Sequence, residues 1–292
     1  MNIFKSILLG IIQGVTEFLP VSSSGHLAIF KRLFGADFCV GIQFDLMLHL
    51  GTLVALIIVF YQDIGHMIVE FFEIIKICFA NTVIFFKRRK GDDRYTYFKV
   101  INSNYKKLDL MIIISSVPTA ILGIVGKKMV GMASDLLWVV GICLMITAGI
   151  LVFADSREMN TQKIKNSRYS DAYFVGIAQG IATLPGISRS GATIGAGMAL
   201  GFNKKLAIKY SFLMSIPTIL GAVILDIPDI GKEAFGSANM PGYILGAIAA
   251  GITGYFAIKY MLKLIKGKKY KGFAIYCLAM GVFAIILSFI KK

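Results

Sequence analysis

Six long apolar blocks constrain this chain more than any other feature of its sequence. A helix needs about 20 apolar residues to cross the ~30 Å hydrocarbon core of a bilayer, and each block approaches or exceeds that length. The blocks cover residues 41–61, 110–126, 136–154, 207–226, 241–262 and 272–290. Only 16% of the 292 residues are charged, against roughly 25% in an average soluble domain. Because backbone groups in hydrocarbon must be satisfied within the segment, we expect an all-α integral membrane protein.

Two further apolar segments are interrupted near their middle. Segment 3–32 is broken by Pro20 and a Ser/Gly cluster, and segment 172–203 is broken by Pro185 and a similar cluster. We interpret both as re-entrant helical hairpins that enter and leave on one side of the membrane. The predicted fold is therefore a single membrane domain of about six transmembrane helices plus two hairpins. We expect the first segment to be retained rather than cleaved as a signal peptide, because no small-residue cleavage site follows it.

The two halves of the chain, 1–154 and 172–292, resemble each other. Gly10-Ile-Ile-Gln13-Gly14 corresponds to Gly176-Ile-Ala-Gln179-Gly180, and in each half a Leu-Pro pair precedes the Ser/Gly cluster. If the two hairpins enter from opposite faces, the halves form an inverted-topology repeat. Repeats of this kind bring broken helices together near the membrane midplane, where polar sites form.

The distribution of charge predicts the orientation. The chain has 31 basic and 16 acidic residues, a formal net charge of +15. The positive-inside rule places the basic loops in the cytoplasm and the less basic loops outside. The cytoplasmic segments are the basic insertion 62–108 and the loops 155–171 and 263–271, and the outer loops are 127–135 and 227–240. Within the insertion, the apolar segment 67–86 carries three charges and is predicted to lie at the interface. We attribute the basic excess to topology and anionic lipid and expect no nucleic-acid partner, since no motif for one is visible.

Arg189 is the most informative residue of the second hairpin. An arginine inside an apolar segment costs several kcal/mol unless it is paired, and its planar fork suits phosphate oxygens. The helix that follows would direct its N-terminal amides to the same point. We therefore predict a phosphate-binding set at this tip, consisting of Ser188, Arg189, Ser190 and Thr193. The alternative is an arginine that only fixes topology by pairing with a carboxylate such as Glu17.

The first hairpin supplies a carboxylate, hydroxyls and an imidazole, which are the groups needed for nucleophilic or acid–base chemistry. The expected catalytic residues are Glu17, Ser23, His26 and Arg189, with Gln13, Ser22 and Ser24 in support. A weaker prediction concerns Asp45 and His49, which share a helix face at a spacing that can bind a metal ion.

The motifs of both hairpins resemble those of one known family. Gln13-Gly-Val-Thr-Glu17-Phe-Leu-Pro-Val-Ser-Ser-Ser-Gly-His26 is similar to the (Glu/Gln)-x-x-x-Glu motif and the following Ser-Ser-x-Gly-His of the undecaprenyl-diphosphate phosphatases of the bacitracin-resistance type. Pro185-Gly-Ile-Ser-Arg-Ser-Gly-Ala-Thr193 resembles the second motif, Pro-Gly-x-Ser-Arg-Ser-x-x-Thr. The pattern of spans extends the resemblance over essentially the whole chain. Gln13 stands where many members have Glu, and the basic insertion at 87–107 is longer than the resemblance predicts.

The resemblance implies a reaction. Such enzymes remove the terminal phosphate of a C55 isoprenyl diphosphate, which recycles the carrier lipid for cell-wall synthesis and gives bacitracin resistance. They require a divalent cation, here Mg²⁺ or Ca²⁺. The resemblance also implies a multi-pass protein of the bacterial cell membrane with its active site on the outer side, a lipid substrate and, as a further prediction, a homodimer. The alternative function is a lipid-carrier flippase or an anion-coupled secondary transporter, because inverted repeats with broken helices are common in transporters.

The resemblance also suggests roles for the site residues. Arg189 and the neighbouring hydroxyls would hold phosphate, and Glu17 would act as metal ligand or base. Ser23 is the preferred nucleophile, with His26 as proton shuttle or leaving-group acid. Attack by His26 or by water stays open. All of these roles require that the two hairpin tips place the guanidinium of Arg189 beside the Glu17 carboxylate and the His26 imidazole.

Overall fold

A computed structural model describes residues 3–35, 42–89, 94–157, 161–226, 240–264 and 270–290. Within these ranges the chain forms helices and no β-strand, so the all-α prediction is confirmed. The helices are α1 (Ile3–Phe18), α2 (Ser23–Phe34), α3 (Ile42–Val59), α4 (Tyr61–Arg89), α5 (Asn104–Asp135), α6 (Leu137–Asp155), α7 (Tyr169–Ile181), α8 (Arg189–Ala199), α9 (Lys204–Asp226), α10 (Met240–Lys263) and α11 (Tyr270–Ile290).

Five helices are long and apolar enough to cross a membrane: α5, α6, α9, α10 and α11. They correspond to five of the six predicted spans. Residues 127–135 do not form the predicted loop, because α5 continues to Asp135 and only Leu136 separates it from α6. At 1.5 Å per residue, the 32 residues of α5 extend about 48 Å. Lysines at 127 and 128 mark a change of environment, but lysine is a good helix former and does not end the helix.

The sixth predicted span, 41–61, forms α3, which is bent by 86° relative to α4. When α3 crosses the bilayer, α4 consequently runs along the membrane surface. Large apolar side chains of α4 are exposed, among them Phe72 and Phe79. The geometry thus supports the interfacial helix predicted over 67–86 and lengthens it to 61–89.

Ion pairs attach α4 to the helix bundle. The ammonium group of Lys106 on α5 lies 2.7 Å from Glu73 and 3.5 Å from Glu70, and the Lys106 side chain is only 1% exposed. Lys209 on α9 lies 2.6 Å from Asp63 at the start of α4. These acidic side chains of α4 therefore face the protein, which leaves apolar side chains to meet lipid.

The two broken segments form the predicted helical hairpins. α1 and α2 have 16 and 12 residues and pack against each other, and α7 and α8 have 13 and 11 residues and do the same. At 1.5 Å per residue these helices extend only about 24, 18, 20 and 17 Å, so each is too short to cross a ~30 Å hydrocarbon core. These lengths are compatible with re-entrant hairpins, and re-entry into the membrane stays a prediction.

Each hairpin packs mainly against a helix of the other half. α1 lies along α10, and α7 lies along α5. Glycines allow close approach in both pairs: a Cβ atom on Gly10 would lie 2.2 Å from the Gly246 carbonyl oxygen, and one on Gly176 would lie 2.2 Å from that of Ser115. This exchange of partners supports the inverted repeat of 1–154 and 172–292, which stays a prediction. Two of the loops that set its orientation, 227–240 and 263–271, lie mostly outside the described residues.

Candidate active site

The tips of the two hairpins contact each other. The Ser190 hydroxyl donates a hydrogen bond to the Leu19 carbonyl oxygen at 3.1 Å, and the Gly186 amide donates to the Ser24 hydroxyl oxygen at 3.4 Å. A Cβ atom on Gly25 would lie only 3.2 Å from the Gly186 Cα atom. Consequently the N-terminal ends of α2 and α8 lie close together.

An ion pair joins the two tips. Arg189 Nη2 donates to Glu17 Oε1 at 2.8 Å, and the side chains are 15% and 6% exposed. Phe18, which follows Glu17, is fully buried and packs edge-on against Phe212 with ring centroids 5.6 Å apart. The buried ring fixes the end of α1 and holds the carboxylate toward the second hairpin.

The ion pair with Glu17 does not use the whole guanidinium of Arg189. Nη1 is buried and has no hydrogen-bond partner among the described residues. A buried donor without a partner costs about 1–3 kcal/mol, and an anion placed there would remove that cost. The alternative reading of Arg189 as a topology residue paired with Glu17 thus accounts for only half of its donor fork.

Ser23 is the hydroxyl that contacts this ion pair. Its Oγ atom donates to Glu17 Oε2 at 2.7 Å, which is the arrangement of a nucleophile and its base. The preceding residue, Ser22, has φ of 69°, a left-handed conformation that costs about 1–3 kcal/mol in a non-glycine residue. The Ser22 hydroxyl accepts from the Gly25 amide at 3.2 Å and caps α2. This strained turn directs Ser23 toward Glu17.

Gln13 and His49 complete the contacts around the carboxylate. Gln13 Nε2 donates to Glu17 Oε2 at 2.9 Å and to His49 Nδ1 at 3.1 Å, and its own Oε1 atom is buried without a partner among the described residues. His49 Nδ1 lies 3.9 Å from Glu17 Oε2, and the ring is 40% exposed. The sequence paired His49 with Asp45, but Asp45 bonds Lys31 at 3.2 Å instead. His49 lies on α3, the next helix after the first hairpin, and this position is the signal that could have assigned it to the site.

The structure does not bring His26 to the ion pair. Its Nδ1 atom lies 2.7 Å from the Ser22 carbonyl oxygen, and its Nε2 atom lies 2.6 Å from the Tyr276 hydroxyl. The residue is only 3% exposed. Helical side chains point back toward the N-terminus of their helix, so the imidazole lies over the Ser22 carbonyl rather than beside Arg189.

The predicted phosphate-binding hydroxyls are buried and have partners within the protein. Ser188 Oγ accepts from the Gly191 amide at 3.1 Å and caps α8. Thr193 Oγ1 donates to the Arg189 carbonyl oxygen at 2.8 Å and lies 2.6 Å from Ser211 Oγ. Together with the bond from Ser190 to Leu19, these contacts shape the turn around Arg189. The role of Ser188, Ser190 and Thr193 in phosphate binding stays a prediction.

The oxygen atoms at the site suit a cation that is shared with a ligand. Among the described residues there is no group of three or more His, Cys, Asp or Glu side chains that could hold a metal ion, so the Asp45–His49 metal prediction gains no support. Gln13 Oε1, which is unpaired, and the Glu17 carboxylate are hard oxygen donors. Mg²⁺ is commonly bound by one or two such protein groups, with substrate phosphates and water as the other ligands.

Comparisons with known proteins identify the family of the chain. The family model described as "Bacitracin resistance protein BacA" matches residues 6–283. A protein of Halothermothrix orenii named undecaprenyl-diphosphatase is 36% identical over 288 residues, with 99% of both chains covered. Proteins of the same name from Alkaliphilus metalliredigens and Desulfosudis oleivorans are 37% and 38% identical, covering 99% and 96% of this chain and 99% and 97% of their own. The chain therefore belongs to the BacA bacitracin resistance family.

Proposed function

We propose that this membrane protein hydrolyses undecaprenyl diphosphate to undecaprenyl phosphate and inorganic phosphate. The reaction recycles the lipid carrier of cell-wall synthesis and accounts for resistance to bacitracin. The observation that carries the proposal is the contact between the hairpin tips: Ser23 and Arg189 both bond the Glu17 carboxylate, and Arg189 retains a buried donor. These are a nucleophile, its base and an anion-binding group in one place.

Binding of the diphosphate uses the charge of the second tip. Arg189 Nη1 donates to an oxygen of the terminal phosphate while Nη2 keeps its bond to Glu17. The N-terminal amides of α2 and α8 provide further positive potential, as helix N-termini do for phosphate groups. Glu17 and Gln13 are the residues that would hold Mg²⁺ or Ca²⁺, and the cation would supply positive charge to offset that of the phosphate groups.

Ser23 attacks the terminal phosphorus. A bond forms between Ser23 Oγ and phosphorus, the hydroxyl proton passes to Glu17, and the bond to the bridging oxygen breaks. Undecaprenyl phosphate leaves, and its bridging oxygen takes up negative charge. Water then hydrolyses the phosphoserine, which releases inorganic phosphate and restores the Ser23 hydroxyl. Direct attack by water with Glu17 as base is the rival within the same site.

The orientation of the site belongs to the proposal. His49 is seven residues from the start of α3, or about 10 Å along the helix axis, and the positive-inside rule places that end of α3 outside. The site would then open toward the outer side of the bacterial cell membrane, where the diphosphate head group would bind. A homodimer stays a prediction, which mass measurement in detergent would test.

Phosphate release by the purified protein in detergent tests the function. With no gradient present, wild-type protein should release phosphate from isoprenyl diphosphate in Mg²⁺ or Ca²⁺, and EDTA should abolish the activity. Arg189→Ala should be inactive under the same conditions. A flippase or secondary transporter would release no phosphate, so an inactive wild type that binds and translocates the lipid would overturn the proposal.

A further inference from the structure

Each ring nitrogen of His26 has one hydrogen-bond partner, the Ser22 carbonyl oxygen or the Tyr276 hydroxyl. Nδ1 lies 2.7 Å from the Ser22 carbonyl oxygen, which can only accept, so Nδ1 must carry the proton. In the neutral ring Nε2 is then an acceptor, and the Tyr276 hydroxyl at 2.6 Å donates to it. The Ser22 carbonyl therefore sets the tautomer, and the Tyr276 hydroxyl stabilises it by donating to Nε2.

Tyr276 belongs to α11, 250 residues away in sequence from His26. Its ring stacks on the imidazole with centroids 5.5 Å apart and planes 6° from parallel. The next residue, Cys277, donates through its thiol to the Pro20 carbonyl oxygen at 3.6 Å. Two consecutive residues of α11 therefore hold the tip of the first hairpin, one on each side of the Ser22 turn.

The Ser22 carbonyl lies at the point where the chain is strained. Ser22 is the one non-glycine residue with positive φ in the described part of the chain. Its carbonyl oxygen accepts from the His26 backbone amide at 3.2 Å as well as from the His26 ring. The peptide group that follows this carbonyl leads directly to Ser23, whose hydroxyl bonds Glu17 at 2.7 Å. The groups that hydrogen-bond the Ser22 carbonyl oxygen therefore set the direction of the Ser23 side chain.

We propose that His26 and Tyr276 are positioning residues of the hydrolase, acting through the Ser22 turn to hold Ser23 against Glu17. This inference rests on the proposed function. It replaces the expectation that His26 shuttles a proton, because Nε2 is covered by Tyr276 and the residue is 3% exposed. It also assigns a role to Tyr276, which lies outside both hairpin motifs.

Two substitutions of His26 separate positioning from proton transfer. The amide nitrogen of asparagine reproduces the position of Nδ1, whereas that of glutamine reproduces Nε2. We expect His26→Asn to keep kcat within about tenfold of wild type and His26→Gln to lose about 100-fold, the scale of a 1 Å misplacement of a reacting group. KM should change little in both variants. His66→Gln, which replaces the histidine stacked on Tyr105 of α5, is the matched control and should leave turnover unchanged.

Equal inactivation of both variants, with thermal unfolding like wild type, would overturn the inference and restore proton transfer by His26. Wild-type turnover in both would show that the imidazole does not position Ser23. Neither result would contradict the proposed function, which fails only if wild-type protein releases no phosphate. Tyr276→Phe keeps the stacked ring and removes the donor, so kcat should fall roughly 3- to 10-fold, the effect of one neutral hydrogen bond.

A spectroscopic measurement tests the tautomer directly. The chain contains three histidines, so ¹⁵N-histidine labelling in lipid nanodiscs gives few signals, which single His→Gln variants assign. Wild-type His26 should show a protonated Nδ1 and an unprotonated Nε2. In Tyr276→Phe a population with protonated Nε2 should appear. A wild-type ring protonated only at Nε2, or a spectrum unchanged by Tyr276→Phe, would refute the role of the tyrosine.

Discussion

Arg189→Lys isolates the second donor of the arginine fork. In the structure Nη2 bonds Glu17 Oε1 at 2.8 Å, while Nη1 is buried without a partner among the described residues. A lysine carries its positive charge on one nitrogen atom. It can neutralise Glu17 or bind the terminal phosphate closely, but it cannot reproduce both bonds of a planar fork.

The size of the effect follows from the bond that is lost. A hydrogen bond to a charged group contributes about 1.5–3 kcal/mol, and each 1.36 kcal/mol corresponds to a tenfold change in rate. We therefore expect kcat/KM to fall roughly 10- to 150-fold. Stability should change less than in Arg189→Ala, because removing one partner of a buried ion pair costs about 3–5 kcal/mol. Lysine keeps the charge beside Glu17.

Phosphate release over a range of substrate concentrations, together with the unfolding temperature in the same detergent, measures both quantities. Lys209→Arg is the matched control, since it exchanges the cation of the ion pair with Asp63, outside the site, and should leave kcat/KM unchanged. Arg189→Lys activity within about threefold of wild type, with normal stability, would refute the reasoning. It would mean that Nη1 does not bind phosphate in the transition state.

Three further substitutions test other parts of the structure. Ser23→Ala should lower kcat by about 100-fold or more with an unchanged unfolding temperature, as loss of a nucleophile does; near-normal turnover would exclude attack by this hydroxyl. Gln13→Glu places a second carboxylate beside Glu17 and should lower the Mg²⁺ concentration for half-maximal activity, because ligand charge raises cation affinity. Gln62→Glu, on the exposed start of α4, is the control and should not lower it. An equal effect of both substitutions would contradict the assignment of Gln13 to the cation site. Gly51→Val puts a Cβ atom 2.1 Å from a backbone carbonyl oxygen of α10 and should destabilise the fold by about 1–3 kcal/mol. Gly123→Val, with open space around it, is the control and should unfold like wild type. Similar unfolding temperatures for the two variants would show that the contact between α3 and α10 is not tight.

The spans and the hairpin tips were predictable because their signals are local. An apolar run of sufficient length predicts a membrane helix, and a proline with a Ser/Gly cluster marks the point where such a run breaks. The meeting of Arg189 with Glu17 was also predictable, because a charge in hydrocarbon requires a partner. Helix ends were harder to predict, as α5 illustrates, since Lys127 and Lys128 change the hydropathy without disturbing the backbone.

Contacts between distant elements could not be read from the sequence in the same way. His49 reaches the site through Gln13, 36 residues earlier, and Tyr276 reaches it through His26, 250 residues away. Neither of these contacts produces a recognisable spacing of residues in the sequence. The direction of the His26 ring depends on the left-handed conformation of Ser22. The sequence does not signal that conformation, because serine rarely adopts it.

The division of charge between the hairpins explains why the proposed chemistry would need both of them. Glu17 and Arg189 would each be costly in hydrocarbon, and each offsets the other across the tips at 2.8 Å. The resting pair is therefore close to neutral. A diphosphate brings several negative charges to this pair, and only the spare arginine donor, two helix N-termini and a cation remain to balance them. We therefore expect the proposed requirement for Mg²⁺ or Ca²⁺ to come from the substrate's charge. A neutral phosphate ester analogue should then bind equally well with and without the cation.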